Sequence, residues 1–236
     1  MKQWIIYSFC AVLFIYSALL VAFEWSTSQA SVRPYFADIS GPVHFYAVNT
    51  SLSVFLLGAT GLLFLVALSF TGPESPPREK LFYFSQALLF VYLGTDDRFL
   101  LHEYIGKQLH IDDVFVLLCI GLAEATCLVC LARPYLNKGK TLVPLVLAAG
   151  LFGLMVIFDG FVPSDMTLRL SGEDLFKTWS CFCFLLFGWS VLEDAALRKR
   201  AGTSVRDGAR RRMETAETGD ARSDAPVGAA SSGQYR

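Results

Sequence analysis

Charge is in short supply. Asp, Glu, Lys and Arg make up 17% of the 236 residues, against about 25% in ordinary soluble domains. With 54% apolar and 14% aromatic residues and a mean hydropathy of +0.47, a soluble globular or disordered chain is excluded, and a membrane protein is what remains. Cysteine is missing from every polar stretch: Cys10, Cys119, Cys127, Cys130, Cys181 and Cys183 all fall in apolar segments. No disulfide framework is therefore expected. Cys127 and Cys130 form a C-x-x-C inside an apolar helix, where a thiolate is disfavoured and cysteine packs as a small hydrophobe. Histidine is nearly absent, with only His44, His102 and His110. No H-E-x-x-H, nucleophile elbow, phosphate loop or dinucleotide glycine pattern occurs, which removes the enzyme classes those motifs mark. Nor does any folded nucleic-acid module accompany the basic tail, so nucleic acid is not expected as a partner.

What is present centres on residues 94–113, GTDDRFLLHEYIGKQLHIDD. They follow an uncharged run, 81–93, that is shorter than the ~20 residues a crossing helix needs. Completing that crossing carries Asp96, Asp97 and Arg98 into the outer third of the bilayer, where ionisable groups are costly and are functional candidates by default. Six spans are expected, at about 4–23, 45–70, 80–105, 113–132, 142–162 and 175–194. The fold class is thus an all-α polytopic bundle, with a six-helix domain over 1–197 and a tail over 198–236. In that tail a basic stretch, 198–212, suits anionic lipid, and the remainder lacks an apolar period and is expected to be disordered.

Basic residues concentrate on the side that holds Lys2, Arg78, Lys80, Arg133 and the tail, so both termini are expected in the cytoplasm. The opposite side gathers the acids and all three histidines, a surface suited to a cation or a metal-dependent reaction. On a straight third helix, about 100° per residue puts Asp96 and Glu103 within about 20° of each other, while Arg98 and His102 form an i, i+4 pair. Asp96 and Asp159 reach about 23 and 26 Å into a ~30 Å core, a common depth. Asp96, Asp97, Asp159 and Asp174 are the candidate acid/base groups, and His102, Glu103, Asp96 and His44 the candidate ligands for a divalent transition metal such as zinc. Glu124 lies near mid-membrane with no charged neighbour in sequence, so it is protonated or paired with another helix, Asp159 and Arg98 being possible partners. Gly58, Gly61, Gly150 and Gly153 read as points of close helix approach.

The run Asp96-Asp97-Arg98-Phe99-Leu100-Leu101-His102-Glu103, with Glu173-Asp174-Leu175-Phe176-Lys177, resembles an uncharacterised group of small bacterial multi-pass membrane proteins. These carry D-D-x-F-x-L-H-E late in a middle helix and E-D-G-x-K at the start of the last. Leu175 stands where their glycine stands. In layout the chain is also distantly similar to membrane hydrolases of the ceramidase and adiponectin-receptor type, which hold zinc among helices. Their late histidines are missing here, so any metal would lean more on carboxylates. The resemblance implies a bacterial inner-membrane protein. The expected function is metal-dependent hydrolysis or transfer on a lipid-like substrate; a proton- or cation-coupled transporter and a non-catalytic scaffold are the alternatives.

Overall fold

The computed structural model describes residues 3–36, 47–132, 139–163, 166 and 168–223, with side chains through residue 201. Eight helices and no strand lie among them: α1 Gln3–Ser26, α2 Gln29–Phe36, α3 Val48–Ser69, α4 Pro77–Phe99, α5 Leu101–Leu109, α6 Asp113–Leu131, α7 Gly139–Phe161 and α8 Arg169–Ser223. Five of these, α1, α3, α6, α7 and the Arg169–Ala201 part of α8, are long and apolar enough to cross a membrane. The chain divides into residues 1–195, which hold the packed helices, and residues 196–236. Helix α8 continues to Ser223, into the segment expected to lack regular structure. The basic side chains beyond residue 201 lie outside the described residues.

Helix α4 starts where local chemistry says it should. Pro76 is extended (φ −59°, ψ 140°) and Pro77 opens α4, using a residue whose missing N–H costs nothing in a first turn. Around Phe64, fully buried, the rings of Phe82, Phe90 and Phe187 pack at centroid distances of 5.9, 5.7 and 5.6 Å. These rings join α3, α4 and α8 into one core. At Gly61 an added Cβ would lie 3.1 Å from Val91 Cγ2 and 3.3 Å from the Ala87 carbonyl, so glycine is what lets α3 and α4 approach so closely. The same reading fails for Gly58, Gly150 and Gly153: a Cβ on any of them meets nothing within 4 Å among the described residues. The last two sit on an open face of α7. Large apolar side chains such as Phe14, Phe55, Leu62, Phe84 and Leu122 are exposed. Faces like these belong in lipid, consistent with a multi-pass membrane protein.

The largest departure from expectation is at the end of the third long helix. It is not continuous through 105. Helix α4 ends at Phe99, Leu100 takes a left-handed conformation (φ 52°, ψ 46°), and α5 begins at once on a new axis. The 20° relation between Asp96 and Glu103 and the i, i+4 pairing of Arg98 with His102 both assumed a straight helix, and neither describes the bend. A second left-handed residue, His110 (φ 55°), ends α5, and an extended Asp112 leads into α6.

Candidate metal and polar site

The bend at Leu100 turns Asp96 into a cap for the helix that follows. Asp96 Oδ1 accepts from the His102 backbone N–H at 2.7 Å, and Oδ2 lies 2.9 Å from His102 Nδ1. The carboxylate thereby satisfies one of the orphan amides at the start of α5, where negative charge is also favoured by the helix dipole. It fixes the imidazole ring in the same contact. Asp96 is 3% exposed, so both oxygens are committed to His102 in a dry setting. Burial disfavours the His102 cation; the hydrogen bond and charge of Asp96, helped by Asp113 and Glu103, outweigh it and hold the imidazole above its ordinary value.

With Nδ1 engaged, Nε2 is the ring nitrogen left to face a ligand. His102, Glu103 and Asp113 each offer one ligand atom, all within 4.8 Å of one another. Glu103 comes from the first turn of α5 and also pairs with Lys107 at 3.0 Å. Asp113 is brought in from α6 by the tight return after His110, and Gly106 makes that return possible. A Cβ on Gly106 would stand 3.0 Å from the Ile111 carbonyl and 3.3 Å from the Asp113 Cα and N. Those are backbone atoms that cannot swing aside.

These residues open on a cavity of about 160 Å³ between α3, α4, α6, α7 and α8. One wall is acidic, formed by Asp96, Asp97, Asp159 and Glu173 around Lys177; the other is apolar, with Leu57, Leu93, Leu117, Phe152, Met155 and Phe184. Lys177 Nζ sits 3.0 Å from Asp97 Oδ1 and 3.1 Å from Asp174 Oδ1. Asp97 also accepts from the Ser53 hydroxyl, and Asp174 from Asn49 Nδ2 at 3.3 Å. Thr178 Oγ1 completes the chain by donating to Asn49 Oδ1 at 2.7 Å. Arg169 Nη2 reaches Asp159 Oδ1 at 3.3 Å, and its Nη1 lies 3.8 Å from Glu173 Oε2.

Helix α8 is tied to α1 by another buried acid. Glu24, 2% exposed, accepts from the Leu168 backbone N–H at 3.0 Å and from the Ser171 hydroxyl. It caps α8 from a different helix, since Leu168 (φ 66°) offers no side-chain cap of its own. The position of Glu173 and Lys177 in the cavity, and of Arg169 and Asp174 beside it, follows from that anchor.

A family model described as "Domain of unknown function (DUF8692)" matches residues 6–192. The chain belongs to this family. The matched region runs from α1 into α8, and within it lies every residue of the cavity. No curated protein and no solved structure matches the chain.

Among the candidate residues, the structure of this DUF8692 chain gathers Asp96, Asp97, His102, Glu103 and Asp159 around one cavity. Asp174 stands behind it, on Lys177 and Asn49. Asp96, expected as a ligand, spends both oxygens on His102. His44 lies outside the described residues. Glu124 pairs with neither Asp159 nor Arg98: it accepts from Gln86 Nε2 at 2.7 Å, while Asp159 pairs with Arg169. Glu193 accepts from Lys140 of α7. Asp113, Lys177, Ser53, Asn49 and Glu24 were not read as site residues.

Proposed function

We propose that this is a six-span bacterial inner-membrane protein, with cytoplasmic termini and α4 as the sixth span. In this reading it uses His102, Glu103 and Asp113 to hold a divalent metal ion for hydrolysis or transfer on a lipid-like substrate. The observation that carries the reading is the Asp96–His102 pair. A carboxylate on one ring nitrogen fixes the tautomer and aim of the other, which is how metal-binding histidines are ordinarily supported. One imidazole and two carboxylates within 4.8 Å suit zinc, manganese or ferrous iron. Bound there, the ion would supply Lewis acidity toward an ester, amide or phosphoryl oxygen. The chain's own residues supply the rest. Asp159 and Glu173, steered by Arg169, are the carboxyl groups placed to exchange protons across the cavity, and the apolar wall from Leu57 to Phe184 accommodates an acyl chain. The resemblance to ceramidase-type hydrolases is of this kind, a metal site among helices, here with one histidine instead of several.

Metal analysis tests it. Protein purified in detergent, stripped with chelator and reloaded with zinc is expected to retain one ion per chain. His102→Ala and Asp113→Asn are expected to retain none while remaining folded by circular dichroism. A wild-type chain that holds no stoichiometric metal would remove the reading.

A carrier reading needs Glu124 connected to this cavity. Its partner Gln86 lies ten residues before Asp96 on α4, about 15 Å along the helix. That separation favours two distinct polar centres.

A further inference from the structure

The second centre is a site in its own right. On other faces of α4 and α6 than those that line the metal cavity, an open crevice of about 480 Å³ is walled by Leu88, Leu89, Tyr92, Ile120 and Ala123. Glu124 lies at its base, with Ser85 and Cys127 at one end. Leu88 and Leu122 on its flanks are exposed, on helix faces that lipid would cover.

Two polar atoms here are unmatched. Glu124 Oε1 accepts from Gln86 Nε2 at 2.7 Å, which leaves its second oxygen for the crevice. Behind it Gln86 is fully buried, and its Oε1 has no hydrogen-bond partner. The polar groups facing Glu124 are Gln86, Ser85 and Tyr92 of α4 and Cys127 of α6. None is basic, and among the described residues no cation pairs with Glu124. Ser85 is already committed, to the Phe82 carbonyl at 2.9 Å and toward Cys127 Sγ at 3.2 Å. A carboxyl without a cation in hydrocarbon is far cheaper neutral than charged. Neutral, Glu124 presents an O–H donor and a carbonyl acceptor at the base of an apolar slot.

We propose that this crevice binds a neutral, hydroxyl-bearing lipid of the diacylglycerol type. Its chain lies along Leu88, Leu89 and Ile120, and its hydroxyl accepts from the Glu124 O–H while donating back to the other Glu124 oxygen. A hydroxyl is the smallest group that both gives and takes a hydrogen bond, which is what the site lacks. A phosphate headgroup has no cation to meet here. A bare acyl chain would fill the slot but leave Glu124 unmatched.

The test uses the full chain in phosphatidylcholine proteoliposomes with a diazirine-bearing diacylglycerol, and with the same probe acetylated at its hydroxyl. After irradiation, labelled peptides are mapped by mass spectrometry. The free-hydroxyl probe is expected to label residues 88–92 and 120–127 about three- to tenfold more than the acetylated one, the range one net hydrogen bond provides. Glu124→Gln, which keeps a donor and an acceptor, is expected to retain that preference, and Glu124→Leu to lose it. Equal labelling of wild-type protein by the two probes overturns the proposal without recourse to any variant. So does an absence of label in the crevice.

Discussion

Replacing Asp96 with alanine removes two hydrogen bonds from one imidazole-bearing residue, at 2.7 Å to the His102 backbone N–H and 2.9 Å to Nδ1. The ring loses its tautomer lock and α5 loses its cap, while the three ligand side chains remain. Loss of a supporting carboxylate of this kind weakens metal binding about 10- to 100-fold, or about 1.4–2.7 kcal/mol. Asp96→Asn keeps one acceptor oxygen, so about half that free energy, a roughly three- to tenfold loss, is the expected result. The neighbouring aspartate supplies the control. Asp97 contacts Ser53 and Lys177, not His102, so Asp97→Asn is expected to lower the melting temperature with little change in zinc affinity. The assay is competition of chelator-stripped protein in detergent against a chromophoric zinc indicator, with thermal melts on the same samples. If Asp96→Ala and Asp97→Ala weaken zinc equally, or Asp96→Ala changes it less than about twofold, the assignment of Asp96 as the residue that aims His102 is wrong.

Other outcomes follow from the same contacts. Lys177→Met leaves Asp97 and Asp174 without their shared cation in a mostly buried setting and is expected to cost about 3–5 kcal/mol in denaturant melts; the added changes Asp97→Asn and Asp174→Asn should restore much of it. Glu24→Ala strips the Leu168 N–H and Ser171 hydroxyl of their acceptor and should cost about 1–3 kcal/mol per group left unsatisfied, with hydrogen exchange at residues 168–172 accelerated first. In Gly172→Ala the new methyl would lie 2.7 Å from Phe158 Cε1; because that ring is held against Phe176 at 5.2 Å, a loss of about 1–3 kcal/mol is expected. In metal-free protein the folded His102 value lies above its ordinary one, so the pair's contribution to stability is complete below the unfolded value of about 6.5 and disappears as pH rises through the raised folded value. Titrating His102 by NMR should find its midpoint raised, and lowered again in Asp96→Asn.

Much of the architecture was legible because the bilayer imposes it. Long uncharged runs mark helices wherever they occur, and five of the expected spans coincide with helices long and apolar enough to cross. The place of a polar cluster was legible for the same reason: charge so near the end of an apolar helix invites attention, and Asp96, Asp97, His102 and Glu103 line one cavity. Their arrangement was not legible. Leu100 and His110 are non-glycine residues in left-handed conformations, which cost about 1–2 kcal/mol each and carry no sequence flag. A reader who assumes an unbroken helix places His102 and Asp96 on different faces of it. The true partner is six residues back, across a bend that no periodicity reports.

That bend also explains why the missed residues were missed. Asp113 becomes a candidate ligand only because α5 is short and returns on itself, and the return is allowed by Gly106, whose added Cβ would strike the Ile111 carbonyl at 3.0 Å. In the sequence Gly106 is one glycine among 18, and nothing distinguishes it from Gly150, where an added Cβ meets nothing within 4 Å among the described residues. The distinction lies in what surrounds each Cα. Lys177, Asn49 and Glu24 were obscure for a related reason. Each makes its bond to a helix remote in sequence, with separations of 80 residues for Lys177–Asp97 and 125 for Asn49–Asp174. A single sequence cannot say which helices are neighbours. Pattern therefore located the polar level of the bundle, while the partners on it were decided by two turns and by packing. The same division separates Glu124 from the metal cavity: hydropathy placed it in mid-membrane, but only its bond to Gln86 shows that it belongs to a different centre.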